Sequence, residues 1–335
     1  MQQRKDQPVD RELLHLLSSK NNIDDKLLEE AFTDSQIYPA KERWMLWLER
    51  FILGVGIAFF LSGICFFLAY NWTDLHKFAK LGLVQGLLLG LLVAVILRKN
   101  MDYIAQLLLV AVVVMVGISF AVFGQIYQTG ADAYDLFLVW TLAVIPFVVI
   151  SKFPTLWLIW LVLLNLTITL WQEQILGYRE RDSVKLLMFF INIFATIVWE
   201  IGVWKFKWNF TLRWFPRIMV AVALLSITLL IMTGMTQGSY SEKKWYYGVS
   251  YILGLILYPS IIYLYLKYFK DLIFIALSVI SILVVICTFI LRFVDDDLGG
   301  FFLTGTLCIG VTIYMVKTLV KVHGEWKKQA NISEN

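Results

Sequence analysis

Few side chains in this sequence could do chemistry, and two short stretches gather several of them. The first runs Ala69-Tyr70-Asn71-Trp72-Thr73-Asp74-Leu75-His76-Lys77 and offers an amide, a carboxylate and a cation at Asn71, Asp74 and Lys77. The second runs from Gly124 to Asp135 and holds Gln125, Gln128, Asp132 and Asp135 without a single Lys or Arg. In the functional reading the two stretches together form a polar pocket open to the outside, with Tyr70, Trp72, Tyr127 and Tyr134 as walls. Acid–base chemistry needs carboxylates converging on one cavity, and Asp74, Asp132 and Asp135 are the only set suited to it. The other reading is purely structural. Thr129 and Asp132 fit a capping box that starts a helix near Gly130, and Asp132 and Asp135 then sit in first turns favoured by the helix dipole. On a continuous helix Gln125, Gln128, Asp132 and Asp135 share one sector, unless Gly130 breaks the register.

Elsewhere polar groups are isolated. Inside apolar runs stand Gln85, Gln106, Asn165, Asn192 and one carboxylate, Glu200. An intramembrane acid is a functional candidate by default, but Glu200 is only five residues from Lys205, close enough to an end to reach water or pair with a base. Asp295-Asp296-Asp297 is an acidic run able to attract a divalent cation, or simply solvated loop charge. The three cysteines, Cys65, Cys287 and Cys308, lie in apolar runs with no CxxC pair and no nearby His, and read as inert packed thiols. His15, His76 and His323 are far apart. No HExxH, GxSxG, phosphate-loop or GxGxxG signature occurs, so neither an enzyme nor a cofactor or metal site is expected.

The elements that must position these residues follow from composition. Of 335 residues 59% are hydrophobic and 16% charged, and mean hydropathy is +0.73. Soluble domains run at roughly 45–50% and 25%, so an integral membrane protein is expected. Ten apolar runs follow: 51–70, 78–97, 103–124, 131–150, 154–171, 184–204, 215–233, 246–266, 272–291 and 299–320. Most approach the roughly 20 residues that a bilayer requires, and none alternates as a barrel strand would. The expected fold is an all-α polytopic transmembrane bundle of about ten spans. A short helical segment at 1–38 precedes the bundle at 39–320, and a tail at 321–335 follows it. Asp10–Lys20 and Asp24–Phe32 read as amphipathic helices, and a third helix starts at Pro39 and runs unbroken toward Phe51. No apolar core precedes Phe51, so no signal peptide is expected.

Net charge is only +4, too small and too dispersed for a nucleic-acid partner. If both termini are cytoplasmic, twenty-one of the 29 Lys and Arg lie on that side and eight on the other. The positive-inside rule therefore favours that orientation and puts both polar loops outside. Trp44, Trp47, Trp72, Trp171, Trp204, Trp214 and Trp245 fall at span ends, as an aromatic belt does. Gly82, Gly86 and Gly90 line one face of the second span, and Gly54, Ala58 and Ser62 one face of the first. Small residues at this spacing predict close helix packing between the two spans; the alternative is a groove admitting a lipid or substrate.

Glu42-Arg43-Trp44, Glu49-Arg50-Phe51-Ile52-Leu53-Gly54, Phe66-Phe67-Leu68-Ala69-Tyr70-Asn71-Trp72 and Gly124-Gln125-Ile126-Tyr127-Gln128-Thr129-Gly130-Ala131-Asp132 together resemble a family of bacterial predicted membrane proteins, domain of unknown function twenty-one fifty-seven. The resemblance spans roughly residues 10–170, and the Gln-Ile-Tyr-Gln-Thr-Gly-Ala-Asp stretch is its most specific part. It implies a bacterial inner-membrane protein and supplies no activity or catalytic residue. The expected function is that of a non-enzymatic scaffold, sensor or assembly component, in contact with the lipid bilayer and with a second membrane protein. The alternative is a small-molecule or lipid transporter or flippase using the outer polar cluster.

Overall fold

The computed structural model describes Leu27 and residues 41–71, 73–98, 100, 102–151, 153–176, 181–206, 213–236, 245–293 and 298–333. The two amphipathic helices expected before residue 33 (Leu27 apart), the start at Pro39 and the acidic run Asp295–Asp297 lie outside the described residues. Among the described residues all regular structure is helical, and ten helical stretches are long and apolar enough to cross a membrane. The chain divides into two compact units, residues 1–118 and 119–335, with the boundary inside a helix.

The first unit holds α1 (Lys41–Tyr70), α2 (Lys77–Ile96) and the start of α3 (Tyr103–Tyr127). With no breaker in thirty residues, α1 runs about 45 Å at 1.5 Å per residue, longer than the ~30 Å hydrocarbon core. Near its start Trp47 stacks on Phe51 with ring centroids 5.3 Å apart. Arg50 ties α1 to α3: its guanidinium lies over the Tyr103 ring, and its carbonyl accepts the Tyr103 hydroxyl at 3.3 Å. Asp102 starts α3 by accepting the Ala105 N–H at 2.9 Å and pairs with Arg98 at 3.1 Å. In α3 the run Ala111, Val112, Val113 and Met115 is buried, whereas most of α1 and half of α2 are exposed. Exposed apolar surface is the resting state where lipid is the solvent.

The glycine stripe does not pack as expected. A Cβ built on Gly82, Gly86 or Gly90, or on Gly54, meets no atom within 4 Å. The spacing puts three glycines on one face, and no atom stands within contact distance of a side chain there.

The second unit continues with the end of α3, α4 (Ala133–Ala143), α5 (Ile145–Ser151), α6 (Pro154–Trp171), α7 (Arg181–Phe206), α8 (Trp214–Thr236), α9 (Trp245–Leu264), α10 (Leu272–Phe293) and α11 (Leu298–Ser333). The fourth span is one run split in two, because Pro146 lacks an N–H to give and breaks the helix at Val144. Pro154 at the first position of α6 suits a helix start. A single π turn follows α6 at Gln172–Leu176 and another follows α9 at Tyr265–Phe269; Lys270, in the left-handed region at φ 49°, ends the second. The last helix passes Val320 without a break and reaches Ser333.

Helices α7 to α10 enclose the main core, built from Phe189, Leu224, Ile227, Tyr258, Tyr265 and Phe274 among others. Tyr265 stacks on Phe274 at 3.9 Å. A second cluster, Leu161, Trp199, Phe215 and Met219, joins α6, α7 and α8. Two glycines do mediate close approach here. A Cβ on Gly234 would lie 2.7 Å from the Tyr247 ring and 2.6 Å from the Tyr251 hydroxyl, and one on Gly254 would lie 2.7 Å from Ile231.

Candidate functional site

The loop after α1 is a tight turn closed by its own backbone. Helix α1 ends when the Asn71 side chain turns back to donate to the Phe67 carbonyl at 2.9 Å. The Asn71 carbonyl accepts the N–H of Asp74 at 3.2 Å and of Leu75 at 3.1 Å, which brings Asn71 and Asp74 into one turn. His76 caps α2, its Nδ1 accepting the Phe78 N–H at 3.4 Å. Lys77 follows with its ammonium 5.3 Å from the Phe78 ring centroid. The Asn71 amide is thus used in ending a helix, and Asp74 and Lys77 are exposed.

The loop after α3 is a second closed device. Gln128 adopts φ 43°, and the Thr129 N–H returns to the Gly124 carbonyl at 3.4 Å. A left-handed residue followed by this six-to-one bond is the Schellman way of ending a helix, with a glutamine where glycine is usual. Gly130, at φ 66°, turns the chain again. Helix α4 then starts at Ala133, not near Gly130, and its capping box joins Asp132 and Asp135 rather than Thr129 and Asp132. The Asp135 carboxylate accepts the Asp132 N–H at 3.1 Å. The turn at 128–131 also cancels the common sector expected of Gln125, Gln128, Asp132 and Asp135: Gln125 belongs to α3 and the two aspartates open α4. One partner was not legible. Gln174, forty residues on, accepts the Tyr134 N–H at 2.9 Å through Oε1 and satisfies a first-turn donor of α4. The π turn at 172–176 carries that side chain.

Three polar layers cross the second unit. At one end Asp182 accepts Lys185 Nζ at 2.7 Å and the Tyr247 hydroxyl at 2.6 Å, while Lys185 also donates to Thr233 at 3.1 Å. This ties α7, α8 and α9. At the other end Glu200 accepts Arg213 through both oxygens, at 2.9 and 3.2 Å, and the Tyr265 hydroxyl at 3.1 Å. Arg217 donates to Asp271 at 3.1 Å, with Arg213 3.8 Å from the same oxygen. The intramembrane acid is thus matched to Arg213, thirteen residues away, rather than to its neighbour Lys205. Two carboxylates facing two guanidiniums offset part of each ion's desolvation cost, and both guanidiniums keep more than a third of their side-chain surface exposed.

Between these ends Asn165 on α6 and Asn192 on α7 face each other. Asn192 Nδ2 donates to Asn165 Oδ1 at 2.8 Å, and Asn165 Nδ2 returns a longer bond of 3.3 Å. Each amide also donates back to its own helix, to Met188 at 2.8 Å and to Leu161 at 2.7 Å. Thr141 and Thr167 touch at 3.2 Å, and the Trp160 indole N–H donates to the Thr141 carbonyl at 3.1 Å. Asn192 has no exposed surface. The other intramembrane amides belong to the first unit, where Gln85 is exposed and Gln106 half-buried.

Among the described residues no three His, Cys, Asp or Glu stand close enough to hold a metal ion. One further pair was missed in the sequence: Cys287 on α10 and Cys308 on α11 bring their sulfurs to 3.4 Å. No curated protein and no solved structure matches the chain. Residues 19–157, which include both polar loops, match the family model described as predicted membrane protein (DUF2157), the family that the loop residues themselves resemble.

Proposed function

We propose that this membrane protein is a non-enzymatic component of the bacterial inner membrane, a scaffold, sensor or assembly partner, with both termini cytoplasmic and a second membrane protein as its partner. The observation that supports this reading is the Asn165–Asn192 pair. A transport path needs mid-span polar groups that face a passage and can exchange protein partners for cargo. Here the two amides spend their hydrogen bonds on each other and on their own helices. The polar interior of this unit works as interhelical glue. In this reading each outer loop is a docking surface in its own right, since short, capped turns hold their side chains in place.

The test is capture of the tagged chain from native membranes in mild detergent, followed by mass spectrometry. Wild type is compared with an Asn71→Ala, Gln125→Ala, Asp132→Ala variant of equal expression and equal thermal stability. A stoichiometric protein partner that the variant loses supports the scaffold and places docking on the loops. A monomer carrying a lipid or metabolite, with no protein partner, overturns the reading in favour of transport. Reporter fusions at both ends, active only when cytoplasmic, test the orientation.

A further inference from the structure

We propose that Cys287 and Cys308 form a membrane-embedded dithiol that closes to a disulfide by passing two electrons to a lipid-soluble quinone. The two residues are 21 apart in sequence, and packing of α10 on α11 sets their sulfurs in contact at 3.4 Å. Bond formation requires an approach to about 2.05 Å, and the two helices that carry the thiols pack directly on each other. Cys65, the remaining cysteine, lies alone on α1 and is exposed.

The position of the pair selects the oxidant. Cys287 is five residues from Arg292, about 7.5 Å along the helix, and Cys308 is nine from Gly299, about 13.5 Å. Both lie within one half of a hydrocarbon layer roughly 30 Å thick. Both are half-buried, and their neighbours Ile286, Phe289 and Ile309 are exposed where lipid would be. Charged, water-borne oxidants pay a heavy cost to enter that layer, whereas a quinone ring on an alkyl tail dissolves in it. In the reaction both S–H bonds break and one S–S bond forms. Two electrons and two protons pass to the quinone, whose carbonyl oxygens become the hydroxyls of a hydroquinone.

The experiment uses the full chain in neutral phosphatidylcholine vesicles. Reduced protein is exposed to a decyl-tailed benzoquinone, denatured, alkylated with N-ethylmaleimide and weighed intact. Wild type should fall from three alkylated thiols to one, with a linked Cys287–Cys308 peptide and one hydroquinone per chain. Cys287→Ser and Cys308→Ala should each keep two alkylated thiols under the same exposure. Three alkylated thiols in quinone-treated wild type would overturn the proposal. So would closure at equal rate by glutathione disulfide, which would remove the claim on a lipid-soluble oxidant. Linkage through Cys65 as often as through the pair would show random collision and overturn it as well.

Discussion

Replacing Asn192 by leucine should cost stability in a way that depends on what occupies position 165. Asn192 shares two hydrogen bonds with Asn165, one of 2.8 Å and one of 3.3 Å, and has no exposed surface. Interhelical hydrogen bonds in membranes average about 0.6 kcal/mol and reach about 1.7. One short and one long bond therefore put the coupling of the pair at about 1 kcal/mol. Asn192→Leu also strands the Asn165 oxygen away from water, and an unsatisfied buried group costs about 1–3 kcal/mol. The single variant should thus lose about 2 kcal/mol. Asn165→Leu combined with Asn192→Leu removes both orphans and loses the shared bonds only once, so its loss should fall short of the summed single losses by about 3 kcal/mol. Dodecyl sulfate titration of the protein in mixed micelles, followed by tryptophan fluorescence, measures all four forms. Coupling below about 0.5 kcal/mol, the ordinary scatter of additive sites, would refute the reasoning. A more stable Asn192→Leu would refute it too, and would return the amides to the transport reading as groups kept for use at the expense of stability.

The left-handed Gln128 gives a second prediction. Gln128→Gly should raise stability by about 1 kcal/mol and Gln128→Val should lower it, read as a shift in detergent melting temperature. Gly234→Ala should lose about 1–3 kcal/mol by overpacking, because its Cβ meets a tyrosine ring already held by Asp182, while Gly86→Ala should be neutral or better; equal melting of the two would contradict the assignment of close packing. Arg213→Ala strands Glu200, and with Arg213 about a third exposed the loss should be about 1–2 kcal/mol. Adding Glu200→Gln to Arg213→Ala should restore part of that loss in the same melting assay.

The ten spans could be read because hydropathy over twenty residues is a property of the segment itself. Helix ends were legible only within a few residues. Thr129 fits a capping box as well as Asp132 does, and the choice between them follows from the backbone turn at Gln128 and Gly130, which no residue type demands. The charged residues were visible but their partners were not: Asp182 meets Tyr247 sixty-five residues away, and Glu200 passes over the nearer Lys205 for Arg213. The glycines give the sharpest contrast. Spacing selects Gly82, Gly86 and Gly90, yet close approach comes at Gly234 and Gly254. Which face of a helix meets a neighbour is decided by the whole bundle, and one span's sequence does not carry it. For the same reason Cys287 and Cys308 read as unrelated until α10 and α11 packed.

The two π turns bear on how this chain tolerates change in length. Each fits one residue more into a turn than an α-helix would hold, at Gln172–Leu176 and at Tyr265–Phe269. Excision of Glu173 would let the helix heal into regular α geometry, improving its own backbone bonds. The same excision would rotate everything on one side of the cut by about 100° relative to the other, and Gln174 would no longer reach the first turn of α4. Around Tyr265 the analogous deletion would swing the hydroxyl away from Glu200. At these two places a shorter chain is a better helix and a worse protein, because tertiary contacts made near each π turn depend on the residue that local backbone energetics would omit.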